Sequence, residues 1–319
     1  MIQFQNVSKR YQQKEVLSHF ELTINEGEFF VLVGPSGSGK TTILKMLNRL
    51  IEPTDGNIYL NDQRLIDYPL KALRLKTGYV LQQIALFPNL TVAENIELIP
   101  EMKQWSKAER RSRSIELLQK VNLDPKVYLQ RKPAELSGGE QQRIGILRAI
   151  AAKPDVILMD EPFSALDPIS RTQLQLLIKE LHGELASTIV FVTHDMNEAL
   201  LLGERICIMK EGQIIQVDTP TEIQAHPANA FVSQFFQPPA TTLANYWGQD
   251  LLTSGFIGKN PPQITETLPI VTPATSLENI LHKVNQAGTV QLQENQQQLG
   301  YINAALILQF IETTMKKEE

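Results

Sequence analysis

The sequence predicts an α/β fold: a mostly parallel sheet with helices on its faces, followed by a smaller second domain. Three observations point to it. The runs Phe29-Phe30-Val31-Leu32-Val33, Val156-Ile157-Leu158-Met159 and Thr188-Ile189-Val190-Phe191-Val192 are continuously apolar, the pattern of strands buried on both faces. Each run leads into polar residues: a glycine loop from Gly34, Asp160-Glu161, and Thr193-His194-Asp195. Open α/β sheets collect their chemistry at those carboxyl ends. Thirdly, composition changes after Pro238-Pro239, beyond which arginine is absent and four lysines are outnumbered by seven acidic residues.

Residues 1 to about 28 alternate polar and apolar (Ile2, Phe4, Val7, then Leu17, Phe20, Leu22, Ile24) and read as short antiparallel strands. The glycine loop is followed by a helical pattern, Ile43, Leu44, Leu47, Leu50, Ile51. Residues 105 to 123 read as mainly helical, with Ser106 and Glu109 spaced for a capping box and the charged run from Lys107 to Arg113 on a solvated face. Beyond the diproline, a pattern of helix, strand, turn, strand and helix runs from Ser276 to Ile311. The five glutamines between Gln291 and Gln298 read as a turn between those strands. The domains are therefore expected at 1–238 and 239–319.

Bulk properties exclude some classes. With 319 residues the chain can bury a sizeable core. A net charge of −5, from 30 basic and 35 acidic residues, argues against nucleic acid as the main partner. The single cysteine, Cys207, lies in an apolar run and reads as a core residue, in keeping with a reducing compartment. The first residues lack the pattern of a signal peptide, and no window approaches the roughly 18 apolar residues of a spanning helix. A membrane role is expected only through partner subunits.

The loop Gly34-Pro35-Ser36-Gly37-Ser38-Gly39-Lys40-Thr41-Thr42 fits G-x-x-x-x-G-K-[ST]. Glycines let the backbone wrap a phosphate, and successive N–H groups with the helix's positive end stabilise the anion. Lys40 is expected to reach the β- and γ-phosphates and Thr41 to bind Mg²⁺. Asp160 ends a buried strand, where a carboxylate is costly unless paired or bound to metal. Glu161 follows it and can polarise an attacking water; the same pair can also cap the next helix. His194 is positioned for a γ-phosphate. Leu136-Ser137-Gly138-Gly139-Glu140-Gln141 is a second anion-friendly element, since Ser137 and two glycines precede a helix and leave N–H groups free. A single nucleotide does not easily use both elements, whereas two facing chains can.

On these residues the chain resembles the nucleotide-binding subunits of ABC transporters, over nearly all of 1–238. The resemblance implies a P-loop NTPase of ABC type, with an antiparallel β subdomain and a helical signature subdomain. It implies that Tyr11 stacks on adenine, that Gln82 touches Mg²⁺ and faces the membrane subunit, and that Leu136 to Gln141 is the family signature. Ser164-Ala165-Leu166-Asp167 completes the set, with Asp167 at the nucleotide. Glu140 stands where many members have Gln, and Gly145 interrupts the signature helix. The implied mechanism has two chains, head to tail, sandwiching two ATP molecules between the glycine loop of one and Ser137, Gly138 and Gly139 of the other. Glu161 orients water while Mg²⁺, Lys40 and His194 stabilise the transferring phosphoryl group. Implied partners are a second nucleotide-binding subunit, permease subunits contacted near Gln82 to Glu94, and a substrate-binding protein or domain. The implied place is the cytoplasmic face of the membrane.

Met46 to Thr54, Gln82 to Thr91 and Glu161 to Pro168 are most similar to ATPases of quaternary-amine importers, for glycine betaine, carnitine or choline. Methionine, iron or polyamine importers, or a non-transport ABC ATPase, are the alternatives. The stretch from Ser276 resembles one CBS module, a small α+β unit that normally pairs, here with residues 240 to 265 or with a second subunit. Asn303 and Leu306 stand where its adenosine-binding version carries Ser or Thr and Asp, which argues against ribose binding of the usual kind. The domain is expected either to pair or to bind a regulatory ligand.

Overall fold

The computed structural model describes the chain except for Gln13, Ile84, Ala165, Ala186, 237–245, 260–267, Gln296 and 316–319. It divides into two compact units, Met1–Gln234 and Phe235–Glu319. The expected break at Pro238-Pro239 lies outside the described residues.

The first unit carries β1 (Ile2–Tyr11), β2 (Lys14–Ile24), β3 (Phe29–Val33), β4 (Asp55–Leu60), β5 (Gln63–Arg64), β6 (Thr77–Val80), β7 (Val156–Asp160), β8 (Thr188–Thr193), β9 (Arg205–Lys210) and β10 (Gln213–Asp218). Among the described residues, four strands form an antiparallel sheet in the order β2-β1-β4-β5. The alternation in the first residues is its cause: Ile2, Phe4, Phe20, Leu22 and Ile24 turn inward, with Phe4 edge-on to Phe20 at 5.3 Å. Six strands form the second sheet, β10-β9-β3-β8-β7-β6, parallel except for β10 against β9. Every residue of β3, β7 and β8 is buried, as continuous apolar runs require. Both sheets share one core, in which Phe30, Leu32, Leu158 and Val190 meet Ile43 and Leu44 of the helix Lys40–Leu47.

Register levels the strand ends. Val33 pairs with Thr193, and Val192 with Asp160. Gly34, Glu161 and His194 each follow one of these residues, so they emerge along one edge of the sheet.

The helix after the glycine loop is shorter than its apolar spacing suggests. It ends at Leu47, Arg49 turns to φ 47° and Leu50 is half exposed. The N–H groups of Arg49 and Leu50 return to the carbonyls of Met46 and Lys45, at 3.0 and 2.8 Å. These bonds satisfy carbonyls that a helix end leaves open. Ser106 and Glu109 form the expected capping box at the start of Lys107–Lys120.

The second unit contains β11 (Ile270–Val271), β12 (Thr289–Glu294) and β13 (Gln297–Asn303), with helices Leu277–Ala287 and Ala304–Met315. β12 and β13 are antiparallel, and β11 runs parallel to β12. The glutamine-rich stretch is not a turn as a whole. Gln291 and Gln293 belong to β12 and Gln297 and Gln298 to β13, with Gln293 paired to Gln298. Alternation with Val290 and Leu292, both fully buried, puts one face of β12 in the core and the glutamines on the other.

Candidate nucleotide-binding and hydrolysis site

The glycine loop joins β3 to the helix Lys40–Leu47. A Cβ on Gly34 would lie 2.2 Å from the carbonyl oxygen of Met209, and one on Gly39, at φ 102°, 2.8 Å from Leu17 Cδ2. Only glycine fits either place. Lys40 is 5% exposed and its ammonium donates to Gly34 O at 2.6 Å and Pro35 O at 3.0 Å. Burial pushes its pKa down, against the attraction of Glu161 and Asp160. Ser36, Gly37, Ser38, Gly39, Lys40, Thr41 and Thr42 line an open cleft of about 580 Å³, together with Tyr11, Gln82 and Glu161. Tyr11 is 44% exposed, and the Lys9 ammonium lies 5.1 Å from its ring centre. A flat, accessible ring at a phosphate cleft suits stacking by a base.

Thr41 joins the loop to β7. Its hydroxyl donates to Asp160 Oδ1 at 2.9 Å. Burial raises the Asp160 pKa, and the Thr41 bond opposes that rise. A buried carboxylate held against a hydroxyl beside the cleft supplies hard oxygen donors. That donor set fits Mg²⁺, which takes one or two protein oxygens and completes its shell with phosphate and water.

Glu161 is the geometric centre. Its φ is 43°, a region costly for a residue with a side chain, and its N–H donates to Val192 O at 3.0 Å. Its Oε2 lies 3.1 Å from His194 Nδ1 and 3.4 Å from Gln82 Nε2. Three segments far apart in sequence thus converge on one carboxylate oxygen.

The signature residues stand apart from this cleft. Ser137 caps the helix Gly138–Ile150: its Oγ accepts from Glu140 N, and Glu140 Oε2 accepts from Ser137 N at 2.7 Å. Glu140 also accepts from the Tyr128 hydroxyl. A glutamate at this position is thus accounted for by the capping box. Ser137, Gly138 and Gly139 do not line the cleft that contains Lys40. They neighbour the segment of Asp167 instead: a Cβ on Gly139 would sit 3.3 Å from Ser170 Oγ, and Asp167 Oδ1 accepts from Ser170 N at 3.0 Å.

Motif reading missed several residues that hold these parts. Asn95, fully buried, accepts from Phe87 N and donates to the carbonyls of Phe87, Leu90 and Thr91. Arg148, on the signature helix, donates to Ala85 O at 2.7 Å and sits over the Phe87 ring. Together they pin the segment after Gln82, where Leu81 and Phe87 present apolar surface, 39% and 49% exposed. A buried amide inside an amphipathic helix was the available signal for Asn95.

Comparison with known proteins agrees with this geometry. A family model described as "ABC transporter" matches residues 17–164. The glycine betaine/carnitine/choline transport ATP-binding protein OpuCA of Bacillus subtilis is 52% identical over 236 residues, 74% of this chain and 62% of that protein. The osmoprotectant import ATP-binding protein OsmV of Salmonella typhimurium is 43% identical over 284 residues, covering 87% and 72%. Against the carnitine transport ATP-binding protein OpuCA of Listeria monocytogenes, 52% identical, the match spans 59% of the relative's length. Among solved structures, a dimeric ATP-binding cassette bound to ADP and phosphate after hydrolysis is 39% identical, with a TM-score of 0.63 over 69% of this chain and 99% of that one. With the glycine loop, the Thr41–Asp160 pair and the signature helix on one scaffold, the chain belongs to the family of ABC transporter ATP-binding proteins.

Proposed function

We propose that this chain binds ATP with Mg²⁺ and hydrolyses it, that it acts as a pair, and that the pair drives a membrane importer for quaternary-amine osmoprotectants. The observation that carries the hydrolytic reading is the placement of Glu161 Oε2 within reach of both His194 and Gln82, at 3.1 and 3.4 Å. When bound, Mg²⁺ neutralises charge on the phosphates. Thr41 and Asp160 hold it, with Gln82 the further ligand. Glu161 accepts a proton from the attacking water, and His194 and Lys40 donate to the phosphoryl oxygens. Tyr11 stacks on the base.

Pairing is supported by the separation of Ser137, Gly138 and Gly139 from the cleft of their own chain. A second copy, turned head to tail, brings them onto its partner's phosphates with Asp167 beside them. The dimeric state of the cassette solved with ADP and phosphate supports the same assembly. The exposed Leu81 and Phe87 supply a docking surface for permease subunits. No helix among the described residues is long and apolar enough to span a membrane, in keeping with attachment at the cytoplasmic face through those subunits. Substrate class rests on the relatives, named for glycine betaine, carnitine, choline and osmoprotectants. Substrate itself is delivered by a binding protein or domain. The unit Met1–Gln234 is the nucleotide-binding domain in this reading, and Phe235–Glu319 a CBS-like domain that pairs or senses a ligand.

The test joins two measurements. Glu161→Gln keeps the hydrogen-bonding shape but not the base. It retains ATP binding and lowers turnover at least about 100-fold. In cells lacking the chain, the wild type restores uptake of labelled glycine betaine, carnitine or choline at high osmolarity, and Glu161→Gln does not. Undiminished hydrolysis by that variant overturns the catalytic assignment. Uptake independent of the chain overturns the substrate class alone.

A further inference from the structure

His194 poses a problem of orientation. Its side chain is 59% exposed, so packing does little to aim the ring at Glu161. The aim has to come from the backbone turn that carries it. That turn is closed by the Thr193 hydroxyl, which is held in turn by Glu198, a residue outside every motif named above.

Thr193, the last residue of β8, is 2% exposed. Its hydroxyl donates to Glu198 Oε2 at 2.5 Å and accepts from Asp195 N at 3.0 Å. One side-chain oxygen therefore ties the residue before His194 to the residue after it, and Glu198 fixes which way that oxygen points. The other oxygen, Glu198 Oε1, receives the Gln175 amide at 3.5 Å. Gln175 lies on the helix Pro168–Glu184, which starts directly after Asp167. Arg171, from the same helix, approaches Asp195 at 4.0 Å.

Glu198 is itself 6% exposed. A buried carboxylate is costly, and an apolar side chain of similar volume is often as stable or more so. Burial pushes the Glu198 pKa up, while the Thr193 hydrogen bond opposes that rise. The geometry points to Glu198 as a positioning residue for His194: it locks the Thr193 hydroxyl that closes the His194 turn, and through Gln175 it ties that turn to the helix following Asp167. This rests on the ATPase reading of the site.

Steady-state ATP hydrolysis by the full chain tests it in five forms: wild type, Glu198→Ala, Glu198→Gln, His194→Ala and the double variant His194→Ala/Glu198→Ala. Glu198→Ala lowers kcat about tenfold at unchanged KM for ATP. Glu198→Gln keeps an acceptor for Thr193 and recovers most of the loss. In the His194→Ala background, Glu198→Ala costs less than about twofold more, because residues that act as one unit are not additive. A full tenfold loss in that background assigns Glu198 a merely structural role and overturns the inference. So does a kcat untouched in Glu198→Ala, or no rescue by Gln. If Glu198→Ala does not fold, Thr193→Val carries the same comparison, since it removes the hydroxyl and keeps the volume. An unchanged kcat in Thr193→Val is then the overturning result. A wild-type chain that does not hydrolyse ATP instead overturns the ATPase reading beneath it.

Discussion

Gln142 donates its side-chain amide to the carbonyl of Pro162 at 2.7 Å. Gln142 is 4% exposed, on the helix capped by Ser137, and Pro162 directly follows Glu161. The helix capped by Ser137 and the turn that carries Glu161 are therefore hydrogen-bonded to each other. Gln142→Leu leaves the Pro162 carbonyl unpaired, at a cost of about 1–3 kcal/mol. It also frees the turn that holds Glu161 at positive φ, so kcat falls more than KM changes. Denaturant titration beside steady-state kinetics reads both, and a kcat equal to the wild type would remove Gln142 from the positioning of Glu161.

Pairing through the signature makes a size prediction. Glu161→Gln binds ATP without consuming it, so with Mg²⁺ and ATP it elutes as a dimer and without them as a monomer. Adding Ser137→Arg to that chain leaves ATP binding to the glycine loop intact and abolishes the dimer, because the signature residues lie outside their own cleft. Size-exclusion chromatography with light scattering decides it.

Asn95 closes the segment after Gln82 with bonds to Phe87, Leu90 and Thr91. Asn95→Leu keeps the branched shape of the side chain but orphans the Phe87 N–H and several carbonyls. Stability drops by about 3 kcal/mol. Asn95→Asp fares little better, since the three contacts made by its Nδ2 need a donor. Thermal melts of the three chains check the order.

Glu198 gives a pH signature. Its folded pKa lies above the ordinary carboxylate value because of burial. Between the unfolded and folded values the native state binds more protons, so stability falls as pH rises through that window. Glu198→Gln lacks this dependence. Its melting temperature relative to the wild type therefore shifts upward between pH 4 and pH 8, whatever its absolute offset. A difference that stays flat with pH would contradict the buried, ionising carboxylate.

Cys207 is fully buried, and burial drives its thiol pKa far up. As the thiolate is the reactive form, a thiol reagent labels the native chain only at the rate of unfolding. Labelling that is fast and insensitive to denaturant would contradict the burial.

Much was legible in the sequence because it is local. The glycine loop, the strands that precede it and carry Asp160 and His194, the Ser106 capping box and the antiparallel start are each written in neighbouring residues, whose spacing dictates period and cap. Failures arose where a local signal is ambiguous. The pattern to Ile51 continues helically, yet the chain turns at Arg49, where the N–H groups of Arg49 and Leu50 close on the Met46 and Lys45 carbonyls and the guanidinium reaches the Tyr68 carbonyl at 2.7 Å. Gln291 and Gln293 lie on the face of β12 opposite Val290 and Leu292, and Gln297 and Gln298 open β13, because strand alternation outweighs polarity.

The sequence by itself determined the elements, the phosphate loop and the family, since those rest on residue type at fixed spacing. Only the tertiary structure decided that Gln82 and His194 approach one oxygen of Glu161, that Gln142 and Glu198 hydrogen-bond the turns beside Glu161 and His194 to helices packed near them, and that Ser137 does not line the cleft that contains Lys40. Those relations join residues tens of positions apart. They are set by the parallel register of β3, β7 and β8, which brings three strand ends to one level, and by helices whose buried polar groups have to find partners wherever the packing puts them.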